Sequence, residues 1–263
     1  MKRRSLFILV LIFLGFVLAL KADVPGQNKE FSGSEMLART EFLNKAVDQS
    51  FTIKMTLIDK DGKDNSRNMK IWTKGKHSRL IRFTYPADIK GVGFLVQNAD
   101  LPNEMMYLYL PAYKKTKRIA GSAKSESFMD SDFSFSDIGS TNYEEHYVPK
   151  RLPDENGKYK LELTKKPGSA IEHDMLVMLI DQTSFVPVRV EFYQKRKLGN
   201  EEKLEKRKIM ESESVENIGN YWLPLKITME DIKKKHKTVM EFKDVKLDTG
   251  LSNNMFSLRN LEK

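Results

Sequence analysis

The chain has 263 residues, with 45 lysines and arginines against 36 aspartates and glutamates, and no cysteine. The absence of cysteine excludes a disulfide framework, a thiolate metal site, a cysteine nucleophile and a lipid-anchored N-terminal cysteine. Charged residues at 31% and hydrophobic residues at 40% fit a folded globular chain and exclude a disordered or polytopic membrane protein.

Lys2, Arg3 and Arg4 open the chain, and an apolar run follows from Leu6 to Leu20. That run is roughly 15 residues, short of the about 20 that a spanning helix needs and suited to the core of a Sec-type signal peptide. Residues 1–22 are therefore expected to be a signal peptide cut after Ala22, with an uncleaved anchor as the alternative. The mature protein is expected outside the cytoplasm. Cleavage removes four basic residues and no acid, leaving a net charge of about +5. An exported, modestly basic protein suits an anionic membrane surface better than nucleic acid.

Residues 23–33 read as a flexible leader, and 34–263 as a single domain. Residues 34–47 form an amphipathic pattern, with Ser34 as N-cap and Met36, Leu37, Phe42, Leu43, Ala46 and Val47 on one side. Period two then takes over. Phe51, Ile53, Met55 and Leu57 alternate with polar residues, and Met69, Ile71 and Thr73 do the same. Further strands are predicted at Leu80–Tyr85, Phe94–Gln97, Met105–Leu110, Tyr159–Thr164 and Met175–Ile180. Val188–Tyr193, Glu202–Ser212, Tyr221–Met229 and Thr238–Leu247 complete the set. The apolar phase slips between Phe242 and Val245, which predicts a bulge. Ten or eleven strands at hairpin spacing describe one large curved antiparallel sheet, a mainly β (α+β) fold. Residues 121–147 are polar but carry Phe128, Met129, Phe133, Phe135 and Ile138. They read as a helical and looped lid across the open side.

Signals for chemistry are weak. Gly91-Val92-Gly93 is not continued into a phosphate loop, and no GxSxG elbow is present. The four histidines (His77, His146, His173, His236) lie far apart, so no zinc enzyme is expected. Glu144-Glu145-His146 and Glu172-His173-Asp174 do not converge by themselves, because neighbours on a strand point to opposite faces. Asp130, Asp132 and Asp137 suit helix capping better than a calcium loop. Lys206–Lys208 and Lys233–Lys237 are either solvated hairpin residues or contacts to anionic lipid or an acidic partner. No enzyme activity, cofactor or metal is expected from this inventory.

Arg79, the stretch RFTYPADIKGVGFL (82–95), YLYLPAYKKTKRI (107–119) and SFMDSDFSFSDI (127–138) resemble the signature of the periplasmic outer-membrane lipoprotein-sorting proteins, the LolA-like (and LolB-like) family. MFSLRNLEK (255–263) is similar to the family's ending. The most specific element is Phe128-Met129, Ser131-Asp132-Phe133 and Asp137; the family commonly has Gly where this chain has Asp130. The resemblance implies a half-open β-barrel closed by short helices around an apolar cavity that shields acyl chains. It implies a periplasmic, monomeric carrier of lipid or acylated lipoprotein, with an inner-membrane transporter and an outer-membrane acceptor as partners. A non-catalytic docking module for an envelope complex or lipid-exporting transporter is the alternative. Phe94, Leu95, Tyr107, Tyr109, Leu110, Phe128, Met129, Phe133 and Phe135 are the expected cavity and lid residues. Arg79, Arg82, Arg118, Asp132 and Asp137 are the expected headgroup or lid-latch residues.

Overall fold

Period-two alternation along β1 (Asp48–Ile58) turns Phe51, Ile53, Met55 and Leu57 to one buried face. Twelve further strands extend the same face in the computed structural model of the protein, which describes residues 30–40, 46–139, 142–169, 171–199 and 201–263. The predicted signal peptide, most of the leader and residues 41–45 of the predicted helix lie outside the described residues. The strands are β2 (Asp64–Lys74), β3 (Ser78–Tyr85), β4 (Gly93–Gln97), β5 (Met105–Leu110), β6 (Lys115–Ile119), β7 (Tyr147–Glu155), β8 (Lys158–Lys165), β9 (Met175–Ile180), β10 (Pro187–Leu198), β11 (Glu201–Ile218), β12 (Tyr221–Asp231) and β13 (His236–Leu247).

All thirteen form one antiparallel sheet in the order β6-β5-β4-β3-β2-β1-β13-β12-β11-β10-β9-β8-β7. Every pairing joins strands consecutive in the chain except the one between β1 and β13. That junction carries the predicted bulge: the register steps from Ser50↔Lys246 to Thr52↔Lys243. The two free edges, β6 and β7, are consecutive in the chain. The segment between them therefore has to cross from one edge to the other.

β6 and β7 are the strands that periodicity does not reveal. β6 (KTKRI) buries only Ile119, and its lysines protect an open edge. β7 carries Pro149 and Pro153, which confine a strand to an edge. α1 (Gly33–Thr40) packs over β7 and buries Met36 and Leu37. Its cap is Ser32, not Ser34. The Ser32 hydroxyl accepts from Glu35 N–H at 3.2 Å while the Glu35 carboxylate accepts from Ser32 N–H at 2.9 Å, a reciprocal capping box.

The sheet is covered on both faces at β3–β5. Its inner face joins the main core, which includes Ile53, Met55, Ile81, Phe83, Phe94, Val96, Leu163, Leu176 and Met178. On the outer face, Leu80 and Leu95 meet Phe256 and Leu261 of the C-terminal segment, with Trp72, Tyr107 and Tyr109 around them. α4 (Leu258–Leu261) sits so close to the sheet that a Cβ on Gly93 would fall 2.7 Å from the Leu261 side chain. Asp48 holds the start of this segment. Its carboxylate accepts from Thr249 N–H and hydroxyl at 2.8 and 2.9 Å and from Gly250 and Leu251 N–H at 2.8 Å each. Burial acts to raise the Asp48 pKa, but these donors outweigh it and hold the carboxyl below its ordinary value.

Candidate ligand-binding site

The crossing from β6 to β7 is a strap of short turns. It contains 3-10 turns at Gly121–Ser125 and Phe128–Asp130, then α2 (Phe135–Gly139) and α3 (Tyr143–His146). Phe128 N–H donates to Phe133 O at 2.7 Å, which pinches the middle into a tight loop. Met129 and Asp130 both take left-handed conformations, with φ of 51° and 60°. A glycine reaches this region freely and an aspartate tolerates it, so Asp130 is compatible with the turn. Asp137 caps α2: its carboxylate accepts from Ser134 N–H at 2.8 Å, and Ser134 Oγ accepts from Asp137 N–H at 3.0 Å.

The loop drives an aromatic plug into the concave face of the sheet. Phe128 is fully buried, with its ring 5.9 Å from Phe83, 5.4 Å from Phe94 and 5.5 Å from Phe135. Phe94 and Phe135 are 5.4 Å apart, and Phe133 and Ile138 are buried beside them. Edge and tilted ring contacts at these separations are favourable beyond area burial. Gly139 fits against β5, where a Cβ would come within 2.5 Å of the Met106 methyl.

Polar contacts hang the strap from the sheet on several sides. Arg67 on β2 donates to the Met129 carbonyl and pairs with Asp130 at 3.3 Å. Arg79 on β3 donates to the Ile138 carbonyl. Burial of the Arg79 guanidinium lowers its pKa to about 10, with Asp100 acting in the opposite sense, so it stays charged at neutral pH. Asp132 receives the Thr238 hydroxyl at 2.7 Å and lies 2.7 Å from His236 Nδ1. Asp137 pairs with Lys208 at 3.1 Å. Burial acts to raise the Asp137 carboxyl, but His173 and the Lys208 charge outweigh it and hold it well below the carboxylate range. Burial likewise opposes the Lys208 charge, and the carboxylates of Asp137 and Glu172 more than compensate, raising the ammonium. His146 on α3 reaches Asp100 at 3.0 Å.

The expected site residues divide between the two faces. Phe94, Phe128, Phe133 and Phe135 meet in the inner core, with Leu110 and Met129 partly buried against it. Leu95, Tyr107 and Tyr109 are corrected: they lie on the outer face under the C-terminal segment. Alternation explains it, since each neighbours a residue of the inner set (Phe94, Met106, Leu108) on its own strand. Arg82 is also corrected. It donates to the Asn260 and Leu261 carbonyls at 2.6 and 3.2 Å and anchors the C-terminus instead of the lid. Arg118 pairs in register with Tyr107 and is exposed on the outer side of edge strand β6, away from the lid. Asp132 contacts Thr238 and His236 on β13. Sequence reasoning missed Arg67, Thr238 and Lys208, polar residues on inward strand positions; that inward phase was the available signal.

Among the described residues, the strap packs Phe128, Phe133, Phe135 and Ile138 into the concavity. A cavity of about 80 Å³ remains beneath α2, lined by Phe133, Leu176, Phe192, Met210 and Met229 together with polar residues. It adjoins a more open groove of about 440 Å³ between the β4–β5 loop (98–104) and Lys166, Pro167, Gly168, Ser169 and Ile171. The apolar interior expected as a cavity is thus occupied by the protein's own aromatic side chains. Among the described residues, no helix is long and apolar enough to cross a membrane.

Residues 75–263 match a family model that carries the description "Uncharacterized protein". No match was found among curated proteins. A DUF1329 family protein from Desulfovibrio piger is 26% identical, with a TM-score of 0.78 over 87% of this chain and 97% of its own. A domain assigned to outer membrane lipoprotein sorting from Vibrio parahaemolyticus is 26% identical, with a TM-score of 0.75 over 88% and 96%. A LolA superfamily protein from Nitrosomonas europaea shares the fold at 20% identity, with a TM-score of 0.70 over 88% and 99%. The chain belongs to the family of the matched model, and its curved open sheet is the LolA-like fold of lipoprotein-sorting proteins.

Proposed function

We propose that the protein is an exported, monomeric periplasmic carrier that shields the acyl chains of a lipid or lipoprotein on the way to the outer membrane. One observation carries this reading: the aromatic plug of Phe128, Phe133 and Phe135 sits on a strap that joins the two unpaired edges of a curved sheet. In this reading the plug occupies the place that acyl chains take when cargo is bound. Each CH₂ taken out of water contributes about 0.8 kcal/mol. Returning the phenylalanines to the core offsets part of that gain on release, which keeps binding reversible. Phe94, Leu110 and Met129 would then contact cargo alongside the plug, and Arg79, Asp132 and Asp137 would set the energy of opening. An inner-membrane transporter and an outer-membrane acceptor are the partners such a route requires.

The filled interior favours one second reading, a docking module for an envelope complex that uses the exposed turn at Lys233–Lys235. The test is to express the full chain with its own leader, purify it without detergent, and record native mass spectra with lipid extraction. A discrete acyl-lipid increment, or saturable binding of a fluorescent fatty acid, supports the carrier. An empty protein that binds no fatty acid favours the docking module.

A further inference from the structure

The lid brings Asp137 to a pair of residues that the sequence leaves inert. Glu172 and His173 lie in the connection from β8 to β9. With Asp137 they place three ligand atoms within 4.8 Å of one another. We propose that Asp137, Glu172 and His173 form a site for a divalent transition-metal ion of the zinc class, which ties α2 to the β8–β9 connection.

Four polar atoms support the site. His173 is only 4% exposed, yet Nδ1 and Nε2 both lack a hydrogen-bond partner. Glu172 Oε2 and Asn142 Oδ1 are also buried without one. All three residues line the cavity of about 80 Å³ beneath α2. Buried polar groups are nearly always satisfied, and several orphans around one cavity indicate a missing water or ion.

The geometry favours an ion. His173 Nε2 lies 3.7 Å from Asp137 Oδ1 and 3.6 Å from Glu172 Oε2. Ligands held at about 2.0–2.1 Å around a tetrahedral ion are about 3.4 Å apart, so the two histidine–carboxylate separations already come within a few tenths of an ångström of that spacing. The imidazole is already positioned, with its ring centroid 4.8 Å from that of Phe192. Asp137 divides its oxygens usefully. Oδ2 accepts from Ser134 N–H and Lys208, at 2.8 and 3.1 Å, while Oδ1 is the atom turned to His173.

Charge points the same way. Two carboxylates face one ammonium, because Lys208 also lies 3.7 Å from Glu172. The Asp137 and Glu172 carboxylates and the Lys208 ammonium together carry a net charge of −1. That negative charge attracts a cation, and Lys208 remains on the outer oxygen of Asp137 when one binds. One imidazole and two carboxylates, without thiolate, suit zinc, cobalt(II), iron(II) or manganese(II) and disfavour copper(I). The inference concerns lid attachment and stands whether or not the interior carries acyl chains.

The test uses the full chain, stripped with a chelator and kept free of lipid. Cobalt(II) is followed by visible absorption and zinc by calorimetry. One equivalent should bind with a low-coordinate cobalt spectrum, and His173→Gln should weaken binding at least 100-fold. Because Asp137 also caps α2, Glu172→Gln serves as the second ligand variant and should weaken binding comparably. His146→Gln and His236→Gln, at the other carboxylate-paired histidines, should bind as the native chain does. Absence of saturable binding overturns the proposal. Equal affinity in His173→Gln, which would place the ion on surface carboxylates, overturns it too.

Discussion

Thr238 on β13 meets Asp132 of the lid twice: its hydroxyl donates to the carboxylate at 2.7 Å and accepts from the Asp132 backbone N–H at 2.9 Å. Both residues are buried. A single hydroxyl therefore fixes the main chain and the side chain of the aromatic loop against the middle of the sheet.

Thr238→Val keeps the shape and removes that hydroxyl. A buried carboxylate and a buried N–H then lose a partner, at a cost of about 1–3 kcal/mol. Urea denaturation should show that loss. Amide hydrogen exchange should accelerate across 128–135, with strands β1 and β2 unchanged. A variant with native stability and native exchange would remove this contact from the latch.

Arg79→Leu releases the Ile138 carbonyl at the other end of α2. A hydrogen bond from a charged donor contributes about 1.5–3 kcal/mol. Exchange at 135–139 should rise more than at 128–133, because Arg67 still holds Met129 and Asp130. Uniform acceleration over the whole strap would show that it opens as one unit.

Phe128→Ala empties the centre of the plug. Phe-to-Ala changes in cores cost about 3–5 kcal/mol. If the plug and acyl chains compete for one space, the variant should lose stability and gain affinity for a fluorescent fatty acid. Lost stability with unchanged binding in a folded variant would separate plug from cargo site.

Asp181 gives a pH test remote from the lid. Burial acts to raise its pKa, but Ser184 N–H, Lys158, the Ser184 hydroxyl and Thr183 N–H outweigh this and bring it down to about 2. A depressed carboxyl stabilises fully above the ordinary value of 3.8, and that contribution disappears as pH falls towards 2. The difference in Tm between the native chain and Asp181→Ala should be constant from pH 7 to about pH 5 and shrink below about pH 4. A constant difference down to pH 3 would mean that the carboxylate charge is not what holds the β9–β10 turn.

Much of the sheet can be read from the chain, because Phe51 to Leu57 and Met69 to Thr73 repeat with period two and each strand turns into its neighbour. β6 and β7 escape that reading for a physical reason: edge strands carry lysine and proline in place of an apolar stripe. The assignment of Leu95, Tyr107 and Tyr109 fails differently. Alternation separates two faces but does not say which is interior, and here the C-terminal segment buries the outer one as well. Arg82 misleads for the same cause. The meeting of Asp137 with Glu172 and His173 has no local signal, since it depends on the strap folding back over the sheet.

The Asp48 clamp bears on mechanics. By fastening residues 249–251, it keeps Phe256 and Leu261 pressed on the outside of β3–β5, so that wall is two layers thick. The wall from β9 to β12 carries no such backing among the described residues. Bending stiffness is therefore unequal around the circumference. If the strap lifts to admit cargo, as proposed, the β3–β5 side would be the abutment and the thinner side the spring.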